Sequence, residues 1–227
     1  MIAPVHRLRK QEIVFLANKK CKHRHSYLEH YSCYLEECNP EKQRIGFFDI
    51  EASSLEAGFG IMLSWAIKVG GSKTIHWDVI TRDDIDNGDI GSEDHRIVQS
   101  ATKKLLEFDK IVTHYGNDYR YDVPFTRTRA VSLGIPFPTH GTIKQQDTFT
   151  ILKKKFKLPR NRLETACRVI LGSSQKTHLD PIIWRRASRG DEAALKYIVR
   201  HNKIDVIELE KLYNKIIPYT APSNVSL

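Results

Sequence analysis

The sequence lacks the features that would place the protein in a membrane or in an export pathway. No apolar run approaches the roughly 18 residues that cross a bilayer. The N-terminal stretch MIAPVHRLRKQEIVFLANKK has neither the uninterrupted apolar segment nor the small-residue cleavage site of a secretory signal. We therefore expect a soluble protein that works in the cytoplasm.

Acidic residues are scarce relative to basic ones. The chain has 27 Asp and Glu against 36 Lys and Arg, a formal net charge of +9, which favours a polyanionic partner such as nucleic acid. The stretch ILKKKFKLPRNRL, residues 151–163, contains no acid at all. It is either a solvated basic face or a surface that follows a phosphate backbone. The candidate nucleic-acid contacts in it are Lys153, Lys154, Lys155, Lys157 and Arg160.

Cysteine is also scarce, and three of the four cysteines fall within residues 21–38, among several histidines. Such a cluster, without an export signal, favours metal binding over disulfides. We predict a tetrahedral, structural zinc site. Its predicted ligands are Cys21, His25, His30 and Cys33. His23 or Cys38 could replace one of them, and the alternative is a histidine-rich surface segment with unpaired thiols. Cys167, in the apolar stretch LETACRVIL, is expected to pack in the core.

The length and the hydrophobic content predict one main domain with a small appendage. The chain has 227 residues, of which 41% are hydrophobic, enough for one sizeable core. The N-terminal part is rich in His, Cys, Tyr and charge, so we place a boundary near Pro40. This divides a Cys/His-rich segment at 1–43 from the main domain at 44–227.

Hydrophobic patterning predicts an α/β fold. The strands are expected at 44–52, 60–71, 73–80 and 110–115, with a hairpin at Gly70-Gly71. The helices are expected at 92–108, 121–133, 161–171 and 191–216, the first capped by Ser92 and preceded by a polar loop at 84–92. Strands first, followed by alternation of helix and strand, indicate a mixed sheet flanked by helices.

Two acids are set into the apolar stretch IGFFDIEASSL, residues 45–55. Residues two apart in a strand point to the same face, so Asp49 and Glu51 project together. Phe48 and Ile50 project to the opposite face. Two like charges at this spacing repel each other, and a divalent cation between them would resolve the conflict. The alternative is a solvent-exposed face at a sheet edge.

The predicted C-terminal helix carries a His-Asp pair on its apolar face. Its stripe, at spacings of three and four residues, is Ile198, His201, Asp205, Leu209, Leu212 and Ile216. An ionised Asp205 on a core-facing stripe is costly unless it is paired or bound to a metal. The alternative is an Asp-His hydrogen bond at the rim of the core.

A third acid lies in THYGNDYRYDVPF, residues 113–125. Here a short strand leads through a Gly-Asn turn into a helix, which puts Asp122 in the first helical turn. An acid at a helix start also has an ordinary explanation in the macrodipole, and Asp118 competes for the same role.

Together these segments resemble the DEDD-type 3'–5' exonucleases of the ribonuclease H-like superfamily, particularly the stand-alone branch related to the proofreading domains of family B DNA polymerases. FFDIEASSL resembles the first motif, HYGNDYRYDVPF the second and HNKIDVIELEKLY the third. The aromatic-Asp-apolar-Pro-Phe context of the second motif selects Asp122 over Asp118. The resemblance covers residues 44–216, with the motifs in the family's order.

The resemblance implies hydrolysis of phosphodiester bonds with two Mg²⁺ or Mn²⁺ ions about 3.5–4 Å apart. The implied metal ligands are Asp49, which bridges the ions, Glu51 and Asp205 at the first, and Asp122 at the second. His201 would be the general base. His201 stands at the distance in sequence from Asp205 at which the family carries tyrosine. Tyr197 is the alternative candidate for the general base.

The resemblance also points to residues around the acids. Asp147 would support the site from outside or simply cap a helix. Lys176 and either Arg185 or Arg186 would contact the DNA backbone or simply be solvated.

We expect a metal-dependent 3'–5' exonuclease acting on DNA, preferentially single-stranded. Repair, recombination or replication of a phage or mobile-element genome in a host cell would fit. The alternatives are an endonuclease or RNA-directed nuclease on the same fold, and an inactive nucleic-acid-binding protein.

Overall fold

The computed structural model describes residues 10–40, 43–117, 120–176 and 180–220. At its centre is one five-stranded sheet in the order β3-β2-β1-β4-β5. The strands are β1 (Ile45–Ala52), β2 (Met62–Val69), β3 (Ile75–Val79), β4 (Lys110–Thr113) and β5 (Lys144–Asp147). The pairs β1–β2 and β2–β3 are antiparallel, whereas β1–β4 and β4–β5 are parallel. The predicted α/β fold on a mixed sheet is confirmed.

Helices cover both faces of this sheet. They are α1 (Lys10–Asn18), α2 (Tyr31–Cys38), α3 (Arg82–Asn87), α4 (His95–Leu105), α5 (Asp122–Ser132), α6 (Thr148–Lys155), α7 (Leu163–Ala166), α8 (Pro181–Ala187) and α9 (Glu192–Ile216). A short π-helix, Cys167–Leu171, extends α7, and a 3₁₀ turn, Ile217–Tyr219, follows α9. None of the described helices has the length and apolar character needed to cross a bilayer.

The central strand β1 separates the two helical layers. Its Phe48 and Ile50 are buried in one apolar cluster with side chains of α4 and α5. On the other face, Phe47 packs against Val206 and Leu209 of α9. Because side chains alternate along a strand, the residues that share a face with Phe47 point toward α9.

The α9 layer is itself built from several helices. Ile151 and Leu152 of α6 pack with Leu212 and Ile216 in the C-terminal half of α9. In the N-terminal half of α9, Leu195 and Ile198 pack with Ala187 of α8, with Leu63 of β2 and with Ile80, which follows β3. The predicted stripe on α9 is confirmed, since all six of its residues are buried.

Three local elements differ from the sequence prediction. The polar stretch at 144–147 forms the edge strand β5, because β4 offers it a parallel backbone edge. Arg82–Asn87 forms the helix α3, which overlaps the start of the predicted loop at 84–92 and is stabilised by a capping box between Thr81 and Asp84. The helix α8, which was not predicted, begins at the Asp180-Pro181 signal, where the Asp180 side chain accepts a hydrogen bond from the Ile182 N–H.

The prediction of Ser92 as an N-cap was wrong. The helix begins later, and Asp94 occupies the N-cap position. Its buried carboxylate does not cap the helix but accepts hydrogen bonds from the Met62 N–H and the Arg129 guanidinium. Ser92 donates its hydroxyl to the Asp89 carbonyl in the preceding turn.

The N-terminal segment forms a small cluster of its own. Its buried side chains are Leu16, Cys21, Tyr27, Cys33, Tyr34 and Leu35. An ion pair between Glu36 of α2 and Lys144 of β5 connects this cluster to the edge of the sheet. The boundary near Pro40 stays a prediction.

Candidate active site

The first two acids stand where the sequence predicts them. Asp49 and Glu51 lie on β1 and face α9. The apolar residues around them anchor the strand on both faces of the sheet. A register irregularity against β2 follows directly, between Glu51 and Ala52. The two carboxylates are therefore held at the end of a rigid central strand.

The third acid reaches the same place from the other layer. Asp122 is the first residue of α5 and is 3% exposed. Its Oδ1 accepts a hydrogen bond of 3.2 Å from the N–H of Ile50, the residue between the two acids of β1. Gly116, in the loop after β4, makes room for it, since a Cβ there would lie 1.9 Å from Asp122 Oδ2.

The helix α9 completes the site. Both His201 and Asp205 are buried, and His201 Nε2 lies 3.7 Å from Asp205 Oδ2 and 3.7 Å from Glu51 Oε1. The Trp184 ring of α8 packs edge-on against the His201 ring, with centroids 5.7 Å apart. The acids predicted from three separate segments thus converge from β1, α5 and α9.

Burial and mutual repulsion make these carboxylates hard to ionise in the absence of a cation. Burial, with repulsion from Asp205, raises the pKa of Glu51 to about 8. Burial raises the pKa of Asp122 to about 7, although the Ile50 N–H opposes the shift. Burial and the charges of Asp122 and Asp205 raise the pKa of Asp49 well above its ordinary value.

The pKa of His201 shifts in the opposite direction and is lowered. Burial lowers the pKa of its imidazole more than the neighbouring Asp205 raises it. The ring is therefore neutral at pH 7 and can accept a proton.

Lys176 lies among the acids rather than on an outer surface. Its ammonium forms an ion pair with Asp205 Oδ2. Burial opposes this charge, but the carboxylates of Asp205 and Asp49 outweigh it and raise the pKa of Lys176. The Lys176 side chain thus supplies one positive charge to a site that contains several negative ones.

Two buried polar residues that sequence reasoning missed support the site. Asn202 donates a 2.6 Å hydrogen bond to Asp49 Oδ2. Glu208 accepts hydrogen bonds from the Ser174 hydroxyl and the Gln175 N–H, which fixes the segment that carries Lys176. No local signal marks Asn202, whose partner Asp49 is distant in sequence, whereas Glu208 lies one helical turn after Asp205, where an acid on the same face could have been noticed.

The donor set fits a hard divalent cation. Glu51, His201 and Asp205 each offer a ligand atom, and these atoms lie within 4.8 Å of one another. Asp205 Oδ1 is buried and has no hydrogen-bond partner within the described residues. An ionised carboxylate oxygen in that position is costly without a cation, and carboxylate oxygens suit Mg²⁺ and Mn²⁺.

The supporting residues predicted around the acids lie at different places. Asp147 caps α6 by accepting from the Thr150 N–H and also accepts from the Gly116 N–H, so it fixes the loop beside Asp122. Tyr197 is half-buried beside Trp184, with ring centroids 6.5 Å apart. Asp118 lies outside the described residues.

The predicted basic contacts lie at the surface, except for Lys176. Those that are exposed are Lys153, Lys154, Lys155, Lys157, Arg160, Arg185 and Arg186. Arg186 forms an ion pair with Asp191 at the start of α9. The three lysines of α6 belong to the same helical layer as His201 and Asp205.

The cysteines and histidines of the N-terminal segment divide differently from the prediction. The group whose ligand atoms lie within 4.8 Å of one another is Cys21, His23, His30 and Cys33. His25 lies outside this group, with its ring edge-on to that of His30. His23 occupies the position that was predicted for His25. Cys38 interacts with the Tyr27 hydroxyl. Cys167 is fully buried in the apolar cluster beneath α9, as expected.

The fold and the site define an α/β protein in which a mixed sheet and its flanking helices gather carboxylates and a histidine. The family model that matches the chain, described as the RNase H superfamily, covers residues 46–217. This is more than half of the chain, and the protein belongs to the RNase H superfamily. Membership suggests a hydrolase that binds and processes nucleic acid. Among curated proteins, no match is found.

Proposed function

We propose that the protein is a metal-dependent 3'–5' exonuclease that acts on DNA, with a preference for single strands. The observation that carries this proposal is the meeting of Asp49, Glu51, Asp122 and Asp205 at one point, with the neutral His201 beside them. The raised pKa values of Asp49, Glu51 and Asp122 make these acids costly to ionise without a cation.

Asp49, Glu51, Asp122 and Asp205 would together hold two Mg²⁺ or Mn²⁺ ions. When bound, such ions supply Lewis-acid chemistry that polarises the phosphate and lowers the pKa of water. His201 accepts the proton of the attacking water. The water oxygen forms a bond to phosphorus and the bond from phosphorus to the 3'-oxygen breaks. The 3'-oxygen takes a proton from solvent to become the new 3'-hydroxyl of the strand, and a nucleoside 5'-monophosphate leaves.

The polarity and the preference for single strands follow from the resemblance of the three motifs and from the enclosure of the site. Asp122, His201 and Asp205 are each at most 3% exposed. A nucleotide that reaches them must be separated from a paired partner, which costs least at the end of a single strand. The exposed lysines of α6 would hold the phosphates of the rest of the strand.

The test is digestion of single-stranded oligonucleotides that carry a label at either the 3' or the 5' end, with Mg²⁺ or Mn²⁺. We expect early release of a labelled mononucleotide from the 3'-labelled strand and a descending ladder from the 5'-labelled one. Asp49→Asn should reduce the rate by at least roughly 100-fold, since it removes a ligand charge from the reacting centre. Asp89→Asn is the matched control because Asp89 is an exposed acid outside the site.

Other outcomes would redirect or overturn the proposal. Internal cuts at early times would indicate an endonuclease, and cleavage of RNA but not DNA would change the substrate. If folded wild-type protein binds DNA but cleaves neither polymer, it is a binding protein. Equal activity of Asp49→Asn and wild type would refute the assignment of the site.

A further inference from the structure

A second group of ligand-type side chains lies in the N-terminal segment, which an ion pair connects to the edge strand β5. Residues 19–27 fold back on themselves through hydrogen bonds from the Tyr27 N–H to the Lys19 carbonyl and from the Cys21 N–H to the His25 carbonyl. Arg24, at the tip, has a φ of +68°, a conformation that non-glycine residues seldom adopt. This tight turn brings Cys21 and His23 to one side of the loop.

The helix α2 supplies the other half of the group. His30 is its N-cap residue, and Cys33 follows in the first turn, where the Cys33 N–H donates to the His30 carbonyl at 2.9 Å. The His30 ring and the Cys33 thiol face the loop, since His30 Nδ1 lies near Cys21 Sγ and Cys33 Sγ lies near His23 Nδ1.

The spacing of the four donor atoms matches a tetrahedron. Cys33 Sγ lies 3.3 Å from His23 Nδ1 and 3.5 Å from His30 Nδ1. Cys21 Sγ lies 3.5 Å from His30 Nδ1 and 3.9 Å from His23 Nδ1. Zinc bonds of about 2.3 Å to sulfur and about 2.0–2.1 Å to nitrogen give a sulfur-to-nitrogen edge of about 3.5–3.6 Å in a tetrahedral site. The four distances bracket that value.

The segment around this group has little else to hold it together. Its cluster contains six buried apolar side chains, and two of them are the cysteines themselves. Both cysteines are free thiols. Units with so small a core need a covalent or metal cross-link to remain folded.

We propose that Cys21, His23, His30 and Cys33 bind one structural Zn²⁺ ion. The ion closes the loop at 19–27 onto the start of α2. Because α2 contacts the sheet through the Glu36–Lys144 ion pair, the zinc ion would also fix the N-terminal segment against β5. This site is independent of the carboxylates and does not rest on the proposed nuclease function.

The first test measures metal in the intact wild-type chain, purified without chelators. We expect one zinc per chain by elemental analysis. Refolding in Co²⁺ should give the visible absorption of a tetrahedral ion and the charge-transfer band of cobalt-thiolate bonds. Titration of the wild-type protein with a mercurial reagent should release the zinc as thiolates are blocked, so this test needs no variant.

The second test separates the ligands from their neighbours. His23→Ala and Cys33→Ser should each lower the zinc content at least tenfold under the same purification. The matched controls are His25→Ala and Cys38→Ser, a histidine and a cysteine of the same segment outside the group, and both should retain one zinc. Asp49→Asn should also retain it, which separates this site from the carboxylates.

Three results would overturn the proposal. The first is a wild-type chain without zinc that shows no cobalt-thiolate band. The second is a disulfide between Cys21 and Cys33, detected as a mass difference on reduction. The third is loss of zinc from His25→Ala with full retention in His23→Ala, which would show that His25 is the ligand and His23 is not.

Discussion

At the scale of single residues, the site places carboxyl groups in surroundings where burial opposes their ionisation. Glu51 and Asp122 lie in surroundings that favour the protonated form. Lys176 relieves only part of this, because one ammonium faces several carboxylates. The metal-free protein therefore keeps protons near neutral pH that its unfolded chain has already released, and this links stability to pH.

We predict that the metal-free protein loses stability as pH rises from about 6.5 to about 8. A carboxyl whose pKa is raised on folding stabilises the folded state below its unfolded pKa, and this stabilisation is lost as pH rises through the folded pKa of about 8 for Glu51 and about 7 for Asp122. Glu51 alone should account for about 1–2 kcal/mol over this window. Urea unfolding in EDTA at a series of pH values measures it.

Other shifted groups act in the opposite direction and overlap the ends of this window, so the difference between wild type and Glu51→Gln isolates the carboxyl. Burial lowers the pKa of His114 to about 4, so its effect, a gain of stability with rising pH, fades above the ordinary histidine pKa of about 6.5. Burial lowers the pKa of Lys110 to about 8, so its gain of stability with rising pH begins near the upper end of the window. Glu51→Gln should flatten the pH dependence, and Mn²⁺ should also remove it. A free energy of unfolding that rises with pH in EDTA would contradict the prediction.

Sequence reasoning succeeds for residues whose placement is local. The two-residue spacing of Asp49 and Glu51 and the four-residue spacing of His201 and Asp205 determine a common face without further information. Asn202 could not be assigned this way, since its role depends on contact with Asp49, which lies far away in sequence. Likewise, no local pattern could choose between His23 and His25, because the choice depends on the left-handed turn at Arg24.

At the scale of elements, the connection from β4 to α5 determines where Asp122 points. Asp147, at the end of β5, accepts a hydrogen bond from the Gly116 N–H, and the Val123 N–H donates to the Gly116 carbonyl. The loop therefore joins two strands and one helix at the glycine. Its missing side chain leaves the space that the Asp122 carboxylate occupies.

We predict that Gly116→Ala impairs catalysis more than folding. The new Cβ would lie 1.9 Å from Asp122 Oδ2 and 2.7 Å from the Cβ of Thr113, so the Asp122 carboxylate must rotate away. A displacement of about 1 Å at a reacting centre costs roughly 100-fold in rate. Nuclease assays, together with thermal unfolding and circular dichroism, measure the two effects separately.

Gly58→Ala is the matched control, because a Cβ at Gly58 meets no atom within 4 Å. It should keep the wild-type rate. Wild-type activity in a folded Gly116→Ala protein would show that the position of Asp122 does not limit the reaction.

Long periodic elements are the ones that sequence predicts well. The helix α9 has buried residues along 25 positions, and its apolar stripe is visible without a structure. The strand β5 has the polar sequence KQQD and no alternation, so only the free edge of β4 explains it. The helix α8 does carry a local signal, Asp180-Pro181, which the prediction overlooked.

At the scale of the whole molecule, the carboxylates of the site are separate from the exposed lysines of α6. Asp122 and Asp205 are buried and Asp49 and Glu51 are half-buried between β1, α5 and α9, whereas the lysines at the end of α6 are exposed. Since α6 packs on the C-terminal half of α9, these lysines belong to the layer that carries His201 and Asp205. A strand of nucleic acid that enters the site can therefore extend over a basic surface.

We predict that replacing Lys153, Lys154 and Lys155 together by glutamine weakens binding of single-stranded DNA and its dependence on salt. Each phosphate contact contributes about 0.7 to the slope of log affinity against log salt for single strands, so the slope should fall by roughly 2. The measurement is fluorescence anisotropy of a labelled oligonucleotide across a salt series, in the Asp49→Asn background to prevent cleavage.

The matched control replaces Lys73, Lys103 and Lys211, which are exposed lysines outside α6. Both triple variants remove the same net charge, so an equal fall in slope would show a general charge effect, whereas a fall confined to the first locates the strand on α6.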